Sequence, residues 1–274
     1  LQAMDIDLKL DFILNHLSVQ SHQFQDLLEK GEQSAYKDFF IDWNKFWEGG
    51  CEVNEEGVLV TRDEYLKVML LRKPGLAVLG VEFADGTKRP YWNTFYQQVD
   101  VDENGKKHYL GQMDLNIKSP LVLDFYKQTL KTLAGYGAKI VRLDAFAYAP
   151  KEVGAKNFLN DPGTWEFLQQ ITDMAQPYGV ALLPEIHASY EEGTYRIIAK
   201  KGYMVYDFFL PGLVLDAFEQ KSGADLAKWA NEILDHNMKT VNMLGCHDGI
   251  PLLDLKGLLP EERIQGLIDT LVKR

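Results

Sequence analysis

The sequence predicts an α/β protein built on a (β/α)8 TIM barrel, of which about five strands are present, with a large subdomain inserted after the first strand. Three observations carry that prediction. From about Lys118 onward, short apolar runs alternate with helical patterns, as in a parallel sheet covered by helices. Nearly every apolar run ends in a charged residue or a histidine, which is where a barrel presents its site. Between the first run and the first helix of that alternation lies a stretch of different texture, rich in aromatic clusters and glycine pairs, best read as a subdomain grown from a βα loop.

The elements follow in order. "DIDLKLDFILNH" reads as a strand ending in Asn15 and His16. The insert opens on an amphipathic helix expected around residues 24–40. "SPLVLDFYKQTLKTLAGYG" sets Leu121, Phe125, Leu130 and Leu133 near helical spacing and stops at a glycine, and "AKIVRLDAF" follows as a strand ending in Arg142 and Asp144. "DPGTWEFLQQITDMAQPYG" reads as a helix with Asp161 at the N-cap and Pro162 in the first turn. "VALLPEIH" is a strand ending in Glu185 and His187, "EEGTYRIIAKKG" a helix, and "YMVYDFFL" a strand carrying Asp207. Residues 225–236 are helical, "KTVNMLGCHDG" is a strand ending in His247 and Asp248, and "PEERIQGLIDTLVKR" is a helix. A closed barrel needs eight strands, so two are expected before Leu1 and one after Arg274. The domains expected are 1–18 with 112–274 as a partial catalytic barrel, and 19–111 as the insert.

With 274 residues the chain can bury a sizeable core. Its formal charge of −11 and pI near 5.1 argue against nucleic acid or an anionic membrane as partner and favour a small neutral molecule. Cys51 and Cys246 lack metal-ligand or disulfide spacing, so free thiols and a cytoplasmic location are expected. No apolar run reaches the roughly 18 residues of a membrane span, and "LQAMDIDLKLDF" is broken by charges, unlike a signal peptide. The oligomeric state is not legible.

Taken alone, Arg142 and Asp144 point to one strand face and read as a structural ion pair. Asp144, Glu185 and Asp248 together, at three strand ends, read differently. Carboxylates in unlike environments suit cleavage of a glycosidic bond, one ionised and one protonated until it donates to the leaving oxygen. Arg142 would keep Asp144 ionised, and burial after Pro184 would hold the proton on Glu185. A divalent metal site is the competing reading, opposed by the charge of Arg142. His22, His108 and His236 read as surface residues. Trp92, Phe95 and Tyr96 read as core first and as a sugar-stacking platform second.

The motifs "DFILNH", "VRLDAF", "LPEIH" and "GCHDG", in that order, resemble the four spaced motifs of the α-amylase superfamily, glycoside hydrolase family 13, with "GQMDLN" similar to its fifth. "SVQSHQFQDLLEKGEQSAYKDFF", "TFYQQVDVD", "RLDAFAYAPKEVG" and "YMVYDFFLPGLVLDAF" resemble the sucrose phosphorylase subgroup, so the likeness covers most of the chain. It implies an α-amylase-type barrel with an inserted B domain. It implies Asp144 as nucleophile, Glu185 as general acid and base, and Asp248 as the carboxylate holding sugar hydroxyls. His16, Arg142 and His247 would line the glucose subsite, with Gln112 and Phe95 also on the substrate. The activity implied is phosphorolysis of sucrose or a related α-glucoside, with inorganic phosphate as co-substrate and no cofactor or metal.

Two stretches depart from the subgroup pattern. "RKPGLA" puts Lys73, beside Arg72, where a phosphate-contacting arginine is expected, and "HDGIPLLD" places Pro251 in a loop near the acceptor. The alternatives are a hydrolase or transglucosidase on sucrose or short α-glucans, and a non-catalytic carbohydrate-binding protein. Without the missing strands, the chain by itself is expected to be inactive.

Overall fold

The computed structural model describes residues 2–47, 51–246 and 248–273. The chain divides into two compact units, Leu1–Lys139 with Asp144–Val180, and Ile140–Leu143 with Ala181–Arg274.

In the first unit, strand β1 (Leu8–Ile13) leads to a short strand β2 (His16–Ser18). Helix α1 (His22–Lys30) begins where Ser21 Oγ accepts the Phe24 amide at 3.3 Å. It buries Phe24 and Leu27 but stops well short of the expected end near residue 40. Gly31 ends it: with φ at 52° it leaves the helical region, and a Cβ there would press on the Phe83 ring at 3.0 Å. Helix α2 (Trp43–Phe46) is capped by Asp42, which accepts the amides of Asn44 and Lys45 at 2.9 and 3.1 Å.

Strands β3 (Glu52–Val53) and β4 (Leu59–Val60) pair antiparallel, followed by helix α3 (Asp63–Leu66). Strands β5 (Val78–Glu82) and β6 (Lys88–Trp92) form a hairpin, as do β7 (Gln97–Val101) and β8 (Lys107–Asp114). Strand β2 adds antiparallel to β8, with His16 opposite Asp114 and Ser18 opposite Gln112. Opposed residues in such a ladder share a face, so this register brings Gln112 and Asp114 beside the residues that follow β1. Trp43, Trp47 and Trp92 fill the core behind it; Trp92 lies 4.8 Å from Trp43 and stacks on Trp47 at 5.8 Å. At 1% exposure Trp92 is a core residue, whereas Tyr96 is exposed and Phe95 half-buried.

Helix α4 (Pro120–Gly135), strand β9 (Ala138–Asp144) and helix α5 (Gly163–Ala175) follow. Tyr126 of α4 packs between Phe12 at 5.5 Å and Phe167 at 6.1 Å, and its hydroxyl donates to the Leu14 carbonyl at 2.5 Å. Asp161 does not cap α5 as predicted. The cap position falls to Pro162, without a side-chain bond, and the Thr164 amide turns back to the Asn160 carbonyl at 2.6 Å.

In the second unit, β10 (Ala181–Pro184) runs parallel to β9, Ala181 opposite Ile140 and Pro184 opposite Leu143. Helix α6 (Thr194–Lys200), strand β11 (Val205–Asp207), helices α7 (Leu210–Gln220) and α8 (Ala224–Asp235), strand β12 (Thr240–Asn242) and helix α9 (Glu261–Lys273) complete it, with β12 parallel to β11. Helix α7 falls almost wholly in residues 211–224, a stretch to which sequence patterning assigns no element; Pro211 and Gly212 would break a helix interior. Proline in a first turn forfeits no helical bond, and Gly212 admits Leu255, whose Cδ1 lies 2.5 Å from where a Cβ would stand. Asp207 is buried, accepting the Phe209 and Leu210 amides at 3.2 and 3.0 Å and Trp229 Nε1 at 3.1 Å. Burial raises its pKa against these hydrogen bonds. From α9, Arg263 joins Asp216 of α7 at 3.1 Å and Asp225 of α8 at 2.8 Å. No helix among the described residues is long and apolar enough to cross a membrane.

Gly111 holds the β7–β8 pairing at φ 128°, and a Cβ there would run into the Tyr96 carbonyl oxygen. Gly111→Ala is therefore expected to cost about 2 kcal/mol or more of stability, read as a lowered urea midpoint at unchanged slope. An unchanged midpoint would show that β8 relaxes freely at this residue.

Candidate functional site

A charge cannot be buried without partners, and the first unit gathers its site residues around one such charge. The Lys151 side chain is 2% exposed. Its ammonium donates to Asn15 Oδ1 at 2.9 Å and to the Tyr148 carbonyl at 2.6 Å, and lies 2.9 Å from Asp114 Oδ2. Asp114 also accepts Asn15 Nδ2 at 3.0 Å, the Thr94 amide at 2.8 Å and Thr94 Oγ1 at 2.6 Å. Burial lowers the pKa of Lys151, and the charge and hydrogen bond of Asp114 oppose it.

His16 lies beside this knot. Burial drives its pKa down to about 4, with Asp114 raising and Lys151 lowering it, so the imidazole is neutral near pH 7. Its ring sits 5.1 Å from that of Phe95, which meets Tyr148 edge-on at 5.0 Å. The Arg72 guanidinium lies 6.0 Å from the centre of the Tyr148 ring. Lys73 donates to Asn93 Oδ1, and Asn93 Nδ2 donates in turn to the carbonyls of Gln112 and Tyr96. Burial lowers Lys73 to about 8, with Asp114 raising it. His16, Phe95, Gln112, Lys73 and Arg72 thus belong to linked contacts in one unit.

Asp144 ends β9 in the first unit, half-buried, with its carbonyl accepting the Leu14 amide at 3.2 Å. Ala145 follows with φ at 51°, a left-handed conformation rare for a residue with a Cβ, which turns the chain sharply after Asp144.

The second unit holds the other carboxylates. Glu185, buried, stands just past β10, and its amide extends the pairing to the Leu143 carbonyl at 3.2 Å. Arg142 Nη2 donates to Glu185 Oε1 at 2.5 Å, with the guanidinium 5.6 Å from the Tyr206 ring centre. His187 Nε2 approaches the same Oε1 at 3.3 Å, while its Nδ1 meets Asp254 Oδ2 at 3.3 Å. Asp248 is exposed on a turn closed by Cys246 and Gly249, whose amides and carbonyls exchange bonds of 3.1 and 2.9 Å. His247 lies outside the described residues.

Sequence reasoning missed Lys151, Asp114, Asn93 and Asp254. The available signals were slight: a lysine seven residues past Asp144 in "DAFAYAPK", and acids that a linear reading assigns to solvent.

The profile of the α-amylase catalytic domain matches residues 1–249. The chain belongs to the α-amylase family. Its fold is the barrel of that family, incomplete in this chain, with β1, β9, β10, β11 and β12 as the barrel-type strands among the described residues. The crystal structure of sucrose 6F-phosphate phosphorylase from Thermoanaerobacter thermosaccharolyticum superposes with a TM-score of 0.81 at 33% identity, over 99% of this chain and 51% of that one. Among curated proteins, this α-amylase-family chain is 52% identical to sucrose 6(F)-phosphate phosphorylase of Ilumatobacter coccineus, over 100% of the chain and 53% of the relative. It is 35% identical to sucrose phosphorylase of Streptococcus mutans, over 97% of the chain and 50% of the relative. The chain spans about half the length of the curated relatives it matches.

Removing the ammonium while leaving Asp114 buried should be severe. Lys151→Met is expected to destabilise by about 3–5 kcal/mol, and adding Asp114→Asn should recover part of the loss because no buried charge is then left alone. Denaturant unfolding of both variants checks it; a single variant as stable as the parent would show that water replaces the ammonium.

Proposed function

We propose that the polypeptide carrying this chain transfers α-glucosyl units with retention, by phosphorolysis of sucrose, its 6F-phosphate or a related α-glucoside to α-glucose 1-phosphate. The observation that carries this reading is Glu185, a buried carboxyl held by Arg142 just beyond a barrel strand, in a chain 52% identical to a sucrose 6(F)-phosphate phosphorylase. In this reading residues 19–111 are the inserted B domain, and the partners are a small sugar and inorganic phosphate, without cofactor or metal.

Glu185 protonates the glycosidic oxygen as Asp144 attacks the anomeric carbon, giving a β-glucosyl ester on Asp144. Phosphate then attacks the anomeric carbon, Glu185 takes the proton, and the α configuration returns. Asp248 and His247 hold sugar hydroxyls more tightly as the ring gains oxocarbenium character, so their bonds count toward rate rather than ground-state binding. His16, neutral, and Arg142 line the same glucose subsite, Phe95 gives it an apolar wall, and Gln112 contributes an amide.

The test uses the full-length polypeptide with α-glucosyl fluoride, with and without phosphate. Accumulation of α-glucose 1-phosphate only with phosphate supports the phosphorylase. Free glucose or longer glucosides regardless of phosphate would make it a hydrolase or transglucosidase, and no product from folded protein would favour sugar binding without catalysis. Asp144→Asn should lower turnover by at least about 10⁴-fold while the circular dichroism spectrum stays unchanged, as expected when a nucleophile is lost. Persisting turnover would remove Asp144 from that role.

Lys73 and Arg72 are assigned to phosphate. Lys73 is cationic below about pH 8 and neutral above, so KM for phosphate should climb as pH rises through 8. Lys73→Ala should raise that KM about tenfold, the loss of one charge-assisted hydrogen bond, and weaken phosphate use more than hydrolysis. Equal losses in both would take Lys73 out of phosphate binding.

A further inference from the structure

Glu185 carries more apparatus than an acid needs for burial alone. His187, two residues on, is 43% exposed at its side chain, yet both ring nitrogens face carboxylates, Nε2 to Glu185 Oε1 and Nδ1 to Asp254 Oδ2, each at 3.3 Å. Phe208, just past β11, stacks on the imidazole with ring centres 4.0 Å apart. Asp254 comes from the short 3-10 turn Leu252–Leu255. Among the described residues, the charged and titratable groups facing this cluster include Asp254 from that turn, Arg142 from β9 on the same Glu185 oxygen, and Tyr206 from β11 near the guanidinium.

We propose that Asp254 and His187 are a positioning pair for Glu185: Asp254 locks the imidazole in its doubly protonated form, and the imidazolium fixes both the rotamer and the ionisation of the Glu185 carboxyl. This rests on the reading of Glu185 as acid and base.

A nitrogen that faces a carboxylate is a donor, and an imidazole with two donors is a cation. Burial works against that charge, but the hydrogen bonds and charges of Asp254 and Glu185 outweigh it and raise the pKa to about 9. Stacking on Phe208 adds attraction for a cation. The cation then acts on Glu185 in two ways. Nε2–H and Arg142 Nη2 converge on Oε1, which fixes the orientation of the carboxyl. A neighbouring imidazolium also favours the ionised carboxylate, which helps Glu185 leave the protonated state once it has donated. In Asp254→Asn, His187 loses the partner that stabilises its cation and gives up a proton more readily, Nε2 turns from donor to acceptor, and Glu185 keeps its proton to higher pH.

The experiment uses the full-length polypeptide and two readouts. In ¹⁵N-histidine NMR, His187 should titrate near pH 9, and in Asp254→Asn at least about one unit lower. In the pH profile of kcat/KM on sucrose, the alkaline limb should move up by about one unit in Asp254→Asn and in His187→Gln, with no further movement in the double variant because the two act in series. Asp254→Glu, which keeps the carboxylate, should keep the native limb. On α-glucosyl fluoride, whose leaving group needs little protonation, both variants should lose less than on sucrose. Glu185→Gln separates the failures: if it retains turnover on sucrose, the acid–base reading falls. If it abolishes turnover while the limb stays fixed in Asp254→Asn, or if His187 titrates near 6.5 whether or not Asp254 is present, the positioning pair is overturned and the acid–base reading stands.

Discussion

The first unit depends on the enclosure of one ammonium. Lys151 joins three stretches that are far apart in sequence, at Asn15, Asp114 and Tyr148, and each donor of its head group meets an oxygen. Buried ion pairs are poor stabilisers on balance, since desolvation consumes most of the attraction, but they penalise every arrangement that leaves one partner alone. That penalty fixes the register of β2 on β8, and with it the approach of His16 to Phe95 and of Gln112 to Asn93. The contacts of His16, Phe95 and Gln112 are therefore set by a pair that has no role in the proposed chemistry.

The second unit uses the same physics differently. Asp114 is sealed, 1% exposed, with Asn15, Thr94 and Lys151 all on its two oxygens. Glu185 is nearly as buried but takes Arg142 and His187 on one oxygen, and the second of these cations is itself half in solvent. A carboxyl meant only to hold the fold gains from the first arrangement. For the acid and base proposed at Glu185, a cation that is itself partly in solvent leaves the group open to the passage of a proton.

Much of this was legible in the sequence, for physical reasons. Apolar patterning gave β9, α4 and α9 nearly at their observed limits, because burial and turn chemistry agree there, whereas β10 stops at Pro184, short of the expected end at His187. Helix α7 was not legible, since Pro211 and Gly212 break helices in isolation and are tolerated only by a first turn packed against Leu255. Helix α1 was read too long because one glycine at positive φ outweighs a continuing apolar pattern. The strand-end rule singled out Asp144, Glu185 and Asp248, since a barrel presents strand ends on one side; Asp144 ends β9 and Glu185 stands just past β10, but β12 stops at Asn242, well before Asp248. It also swept in Asp207, whose carboxylate instead accepts the Phe209 and Leu210 amides where α7 begins and binds Trp229. Lys151 and Asp254 escaped because their importance lies in long-range pairings, and a lysine or aspartate in a loop carries no local mark of burial.

Pro251, the point where the chain departs from the pattern it otherwise resembles, acquires a place in this scheme. It stands immediately before the turn Leu252–Leu255, with φ at −80°, and its carbonyl accepts the Asp254 amide at 3.1 Å. A proline ring holds that φ in the unfolded chain as well, so the turn loses less entropy on forming. The turn is anchored underneath by Leu252 and Leu255, both buried, while Leu253 between them is exposed. Asp254 is thus presented from a short, stiff and rooted element. Stiffness matters more here than in a surface loop, because a charge acting on His187 at 3.3 Å weakens steeply with any drift into solvent. The departure at Pro251 therefore bears, through Asp254 and His187, on the carboxyl proposed as acid and base.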